Sequence, residues 1–105
     1  MAKTLTPIEV FLAPLARIAA LDPDIEGHVF WARDGQWPDE PAETLEPEEI
    51  AFYAEGLLQE GFRLTWQAVG TPEDGPEAIL IYVWQGEAAA PPDFGPVLYS
   101  GTWTP

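Results

Sequence analysis

Cysteine is absent from the 105-residue sequence, and serine and histidine occur once each, as Ser100 and His28. Without thiols the chain forms no disulfide, no thiolate nucleophile and no thiolate metal site, which fits a reducing compartment. Ser100 lacks the glycine pattern of a nucleophile elbow, and His28 has no Ser or Cys near it in the sequence. No Walker lysine, glycine-rich phosphate loop or dinucleotide fingerprint occurs either. We therefore expect that the protein is not an enzyme and uses no cofactor.

Basic residues are scarce, since 4 Lys and Arg face 18 Asp and Glu and the net charge is -14. Binding to a nucleic acid draws its free energy from Lys and Arg side chains that displace counterions from phosphates. This chain is too poor in such side chains for us to expect direct binding to DNA or RNA. A basic protein, which itself could bind nucleic acid, is the partner that the charge favours.

Long apolar runs are also absent. No stretch approaches the roughly 20 residues that a membrane span requires, and residues 1–21 are too amphipathic and too poor in basic residues for a signal peptide. We therefore expect a cytoplasmic protein with no membrane partner. Apolar residues nevertheless make up 47% of the chain, which is enough for a core, so we expect a single acidic domain over residues 1–105.

The spacing of the apolar residues predicts an α+β domain, with two helices on a mostly antiparallel sheet of about four strands in the order α-β-α-β-β-β. The first helix begins at a Thr6 N-cap followed by Pro7, and it ends by Leu21. Pro14 lies inside this helix and cannot donate a backbone hydrogen bond, so we expect either a kink or two short helices there.

The second helix spans Glu46 to Glu60 and ends at Gly61. Four segments rich in β-branched and aromatic residues predict strands, at 28–33, 62–68, 78–84 and 97–103, and residues 36–45 predict a loop. The segment 78–84 is apolar at every position, which is typical of a central strand covered on both faces. Helical spacing predicts that the second helix buries Ile50, Tyr53, Ala54, Leu57 and Leu58.

A carboxylate-rich segment that begins at Asp22 partly matches a calcium-binding loop. Asp22, Asp24 and Glu26 stand at the first, third and fifth ligand positions of an EF-hand, and Gly27 stands at its sharp turn. The twelfth position, which needs a bidentate carboxylate, holds Arg33 instead. We therefore predict a helix-to-strand connection without a metal site.

The negative charge is concentrated in one part of the sequence, because residues 34–62 carry nine acidic residues and no basic one. Carboxylates one and two turns apart on a helix lie roughly 6 and 10.5 Å apart along its axis, close to the spacing of neighbouring phosphates in a nucleic acid. Such a segment can serve solubility, adaptation to high salt or recognition of a basic protein. The excess of Glu, with 12 against six Asp, does not resemble a salt-adapted surface.

An apolar side chain among these charges favours recognition. Phe52 lies in line with Glu48 and Glu55 on the second helix, on a face that the buried residues do not use. Trp37 lies in the preceding loop, where it is either a lid over the core or an exposed anchor. The predicted partner-binding residues are therefore Asp39, Glu40, Glu43, Glu46, Glu48, Glu49, Glu55 and Glu60, with Phe52 and Trp37 as the apolar anchors.

These features lead to the hypothesis of an acidic inhibitor that occupies the nucleic-acid-binding surface of a basic partner, as phage anti-restriction and anti-CRISPR proteins do. The comparison rests on size and charge alone. An immunity-type, assembly or adaptor protein that binds a basic protein without mimicry is the alternative, and a small carboxylate-based enzyme is a third possibility. The sequence leaves open whether the protein is a monomer or a homodimer.

Overall fold

The computed structural model describes residues 6–88, 90–91 and 96–104, and it confirms an α+β architecture. Five strands form one mixed sheet in the order β2-β1-β4-β3-β5, in which β1 and β4 run parallel and every other neighbouring pair is antiparallel. The elements along the chain are α1 (Pro7–Leu21), β1 (Glu26–Trp31), β2 (Glu43–Leu45), α2 (Pro47–Gln59), β3 (Arg63–Thr71), β4 (Gly75–Trp84) and β5 (Val97–Trp103).

The predicted count of about four strands is wrong because β2 lies inside the segment predicted as a loop. This strand has three residues and pairs antiparallel with β1, with Leu45 opposite Gly27 and Thr44 opposite His28. Three residues are too few to show the alternation by which a strand is recognised in a sequence. Leu45, which is buried, fixes the strand against the core.

The first helix begins as predicted, since the Glu9 amide donates a hydrogen bond of 3.2 Å to the hydroxyl of the Thr6 N-cap. The alternative of two short helices is wrong, because α1 continues through Pro14 to Leu21. Proline removes one helical hydrogen bond and leaves the carbonyl of Val10 without that donor. Pro14 is exposed, so water can solvate this carbonyl and the helix tolerates the loss.

The second helix begins and ends within one residue of its predicted bounds. Gly61 follows its C-cap and has a φ of 93°, which favours glycine. Both helices pack on the same face of the sheet. Neither helix in the described part of the chain combines the length and apolarity that crossing a membrane requires. The core between helices and sheet includes the α2 residues Ile50, Ala54, Leu57 and Leu58, with Tyr53 half-buried, and the α1 residues Leu12, Leu15 and Ala19.

The opposite face of the sheet carries a smaller apolar cluster of Phe30, Leu80 and Tyr82. Because the side chains of β4 alternate, Tyr82 faces away from the helices while its neighbours Ile81 and Val83 face them. All five residues from Ile79 to Val83 are buried, which confirms the prediction of a central strand covered on both faces.

Two glycines give a direct test of this packing. A Cβ on Gly70, which lies at a register shift between β3 and β4, would overlap the backbone carbonyl oxygen of Gly75, whereas a Cβ on Gly56 in α2 meets nothing within 4 Å. We expect Gly70→Ala to destabilise the fold by about 1–3 kcal/mol, because backbone has to move. Gly56→Ala, the matched control, should stabilise it by about 0.5–1 kcal/mol. Urea unfolding measures both, and effects of the same sign would contradict the packing described.

Candidate protein-binding surface

Small side chains leave a shallow groove between the two helices. Ala13, Ala16 and Ala20 of α1 and Ala51 of α2 line it, and we call it the alanine groove. Methyl groups cannot fill the space between two helix axes, so the groove stays open to solvent with an apolar floor. Its rim carries the carboxylates of Glu9, Glu48 and Glu55, and the ring of Phe52 lies beside it.

Phe52 is 81% exposed, more than any other large apolar side chain in the described part of the chain. It precedes Glu55 by three residues and follows Glu48 by four, so the three side chains share one face of α2. The prediction that Phe52 lies outside the buried face of the helix is confirmed. An aromatic ring has a large apolar surface that is normally buried, so its exposure beside an apolar groove makes this face the candidate site of the molecule.

The N-terminus of α2 concentrates the negative charge. Glu46 is the N-cap residue, and its amide donates a hydrogen bond of 3.1 Å to the Glu49 carboxylate. A side-chain hydrogen bond with Glu48 raises the pKa of Glu46 above its usual value, and the charges of Glu48 and Glu49 raise it further. The positive end of the helix dipole favours these carboxylates, while their proximity makes them repel one another. A cationic group placed here would relieve that repulsion.

Glu43 has a structural contact in addition to its charge. Burial and a hydrogen bond to the Glu43 carboxylate raise the pKa of Tyr53 to about 12, and a hydrogen bond with Trp31 has the opposite, smaller effect. Glu43 lies on β2 and Tyr53 on α2, so this contact joins the short edge strand to the helix. Glu43 therefore contributes to the fold as well as to the acidic surface.

The remaining predicted site residues lie in other elements than the N-terminus of α2. Asp39 and Glu40 are exposed in the connection between β1 and β2. Glu60 is the C-cap of α2, so about 20 Å of helix separate it from Glu46. The acidic segment of the sequence is thus spread over a loop, an edge strand and both ends of a helix.

Trp37 lies on the far side of the sheet from α2. Its ring packs edge-on against Tyr82, with ring centroids 5.2 Å apart, and against Trp84 at 5.9 Å. Tyr82 faces away from the helices, so the sheet separates Trp37 from Phe52. Of the two alternatives for Trp37, the exposed anchor is wrong and the lid is confirmed, since the half-buried ring covers the smaller apolar cluster.

The structure also places the two other candidate sites, the pair His28 and Ser100 and the acidic segment that begins at Asp22. His28 is on β1 and Ser100 on β5, with β4 and β3 between them, so about 14 Å separates the two strands and the residues do not form a nucleophile–base pair. The Asp24 amide donates a 2.9 Å hydrogen bond to the Asp22 carboxylate, which closes a turn between α1 and β1. Within residues 6–88, 90–91 and 96–104, no group of three or more His, Asp or Glu residues is arranged to hold a metal ion.

The alanine groove and Glu9 were not predicted as parts of a site. Alanines three and four residues apart on α1 were the available signal, but such spacing does not show which face a neighbouring helix leaves open. Comparison with protein-family models, curated proteins and solved structures finds no match.

The contact between Tyr53 and Glu43 predicts a specific pH dependence. Between pH 10 and about 12 the folded state keeps the Tyr53 proton that the unfolded state has already lost. Stability should therefore fall as the pH rises through this range. Tyr53→Phe should lower the free energy of unfolding at pH 7 by about 0.5–1.5 kcal/mol. Between pH 10 and 12 the free energy of unfolding of this variant should also decrease less than that of the unmodified protein. Urea unfolding at several pH values measures this, and parallel pH profiles for the two proteins would contradict it.

Proposed function

We propose that this protein binds a basic protein partner through the alanine groove, Phe52 and the carboxylates of the α2 N-terminus. The observation that carries the proposal is the 81% exposure of Phe52 between Glu48 and Glu55, at the edge of an apolar groove. Protein interfaces combine an apolar centre, often aromatic, with a polar rim that remains accessible to solvent. The helical face of this protein has both parts.

The two parts have different roles in binding. The carboxylates around the groove attract a basic surface and speed its approach, an effect that salt weakens. Phe52 and the alanine floor then exclude water from the contact and slow dissociation. A projecting helix or loop of the partner, with apolar side chains for the groove and Lys or Arg for its rim, has the chemistry that fits.

The more specific form of the proposal is an inhibitor that occupies the nucleic-acid-binding surface of its partner. Glu48 and Glu55 are seven residues apart on α2, which corresponds to about 10.5 Å along the helix axis and is comparable to the spacing of phosphates. A mimic competes with DNA or RNA for the partner. An immunity-type or assembly protein binds the same partner without that competition, so adding nucleic acid to a preformed complex separates the two forms.

A charge reversal tests the acidic rim. We expect Glu48→Lys combined with Glu55→Lys to slow association with a partner recovered from cell lysate, most strongly at low salt. The stability of the variant should change little, because the removal of like-charge repulsion offsets the loss of a carboxylate that the helix dipole favours. Glu73→Lys combined with Glu77→Lys makes the same change in charge at exposed positions of the β3–β4 hairpin and is the matched control. Equal association rates for the two variants would contradict the proposal.

Phe52→Ala tests the apolar centre separately. We expect it to accelerate dissociation by about tenfold or more, since an aromatic residue at the centre of an interface commonly contributes more than 1 kcal/mol. The melting temperature should be unchanged because the ring is exposed. Surface plasmon resonance and thermal unfolding measure the two quantities. An unchanged dissociation rate would remove Phe52 from the interface.

A further inference from the structure

A second surface collects most of the remaining exposed apolar side chains. Among the described residues, Val10, Leu21, Val97 and Tyr99 are the large apolar side chains other than Phe52 that are exposed, by 58%, 79%, 37% and 56%. Two belong to α1 and two to β5; Tyr99 lies opposite Ala68 and faces the helices, whereas Val97 lies opposite Val69 and faces the other side of the sheet. The helix and the strand are neighbours, since the rings of Phe11 on α1 and Trp103 on β5 are in contact at 5.4 Å. We call the side of the molecule formed by α1 and β5 the β5 flank.

Helical spacing places one row of α1 residues on this flank. Val10, Pro14, Arg17 and Leu21 follow one another at intervals of four, three and four residues, and all four are exposed. The row lies apart from the buried residues of α1 and from the alanines that face α2. It therefore belongs neither to the core nor to the surface of the proposed function.

The β5 flank also contains an unpaired sheet edge. Strand β5 is the last strand in the sheet order, and no strand of the described part of the chain pairs with its outer side. Its seven residues, VLYSGTW, include no charge and no proline, and Tyr99 to Trp103 pair with β3 in a regular register. Proteins commonly protect such edges with Lys, Pro or very short strands. The opposite edge, β2, is short. A register shift interrupts the pairing near the start of β5, but its regular part from Tyr99 to Trp103 has none of these protections.

A hollow of about 490 Å³ lies at one end of the flank. Apolar side chains from α1 line it together with Tyr99 of β5. Asp22 and Asp74 also line it, and Arg17 is the only cation among its lining residues. The C-terminal end of α1, which has no basic residue in its last turn, adds the partial negative charge of its carbonyls. The hollow therefore combines an apolar wall with a net negative charge.

We propose that the β5 flank binds an extended segment of a partner protein, which pairs with β5 as a sixth strand. In such a complex the backbone hydrogen bonds supply affinity, and every second side chain of the segment faces the row on α1. The negative hollow selects a segment that carries Lys or Arg among alternating apolar residues. A second copy of the chain fits less well, because it would bring two net charges of -14 together.

Binding at the β5 flank is independent of the function proposed for the helical face, and it can be tested without a known partner. The probe is a phage-displayed library of random twelve-residue peptides, selected on the intact protein and counter-selected on the matrix. We expect enriched peptides with alternating apolar residues and at least one Lys or Arg. Their binding should perturb the NMR signals of the β5 amides. Failure to enrich any peptide, or enrichment of peptides that perturb other residues, would overturn the proposal.

Methylation of peptide nitrogens distinguishes strand pairing from other modes of binding. N-methyl groups on alternate residues block the hydrogen bonds on one edge of the bound strand only. Methylation of the edge that faces β5 should weaken binding by about tenfold or more, as expected for the loss of two hydrogen bonds. Methylation of the other residues is the control and should have little effect. Equal effects on both edges would overturn the proposal.

Two variants locate the site on the protein. Leu21→Lys adds a positive charge at the hollow and should abolish peptide binding, while the 79% exposure of Leu21 makes a folding defect unexpected. Phe52→Ala, on the other surface, should leave peptide affinity unchanged. Normal binding by Leu21→Lys would overturn the proposal. Sedimentation equilibrium completes the test, since a dimer that Ser100→Lys dissociates would show that a second copy occupies the edge and would overturn the proposal.

Discussion

The structure depends on burying β4 on both faces. Its residues from Ile79 to Val83 are buried without interruption. Such burial requires a neighbouring strand on each side, which β1 and β3 provide, and apolar side chains that cover both faces of the sheet. The two helices cover one face, where Ile81 and Val83 lie, and Trp37 contributes to covering Tyr82 on the other. Elements far from β4 in the sheet, namely β2 and β5, become the edges. The two candidate binding surfaces, which lie on the helical layer and at the β5 edge, are therefore positioned by this strand.

The acidic composition follows a related constraint. A core of this kind has no place for unpaired carboxylates, since burying a charge without a partner is costly. The described acidic side chains accordingly lie at the surface or are partly exposed. The N-terminal turn of α2 accepts several of them at reduced cost, because the unsatisfied amides and the dipole of the helix favour negative charge. A hydrogen bond with Glu48 and, after it, the charges of Glu48 and Glu49 raise the pKa of Glu46, so a basic partner would relieve the repulsion within this group.

Local and periodic features were predictable from the sequence. The Thr6 cap, the buried residues of α2 and the central position of 78–84 each follow from spacing within one segment, and the structure confirms them except for Tyr53, which is half-buried. Strand β2 was not predictable because three residues carry no periodicity. The separation of Trp37 from Phe52 and the unpaired edge of β5 depend on the order of the strands in the sheet. That order is set by contacts between distant segments, which a pattern within one segment does not contain.

Helix α1 has three distinct sides, and their arrangement explains how one short helix can serve two surfaces. Leu12, Leu15 and Ala19 face the core, the alanines face α2, and the row from Val10 to Leu21 faces solvent beside β5. Pro14 belongs to the third side. The hydrogen bond that it removes therefore leaves the Val10 carbonyl without a helical donor on a side of the helix that water can reach. The helix tolerates this proline because water can solvate the freed acceptor on the exposed side, whereas on the other two sides the same acceptor would be buried or would face α2.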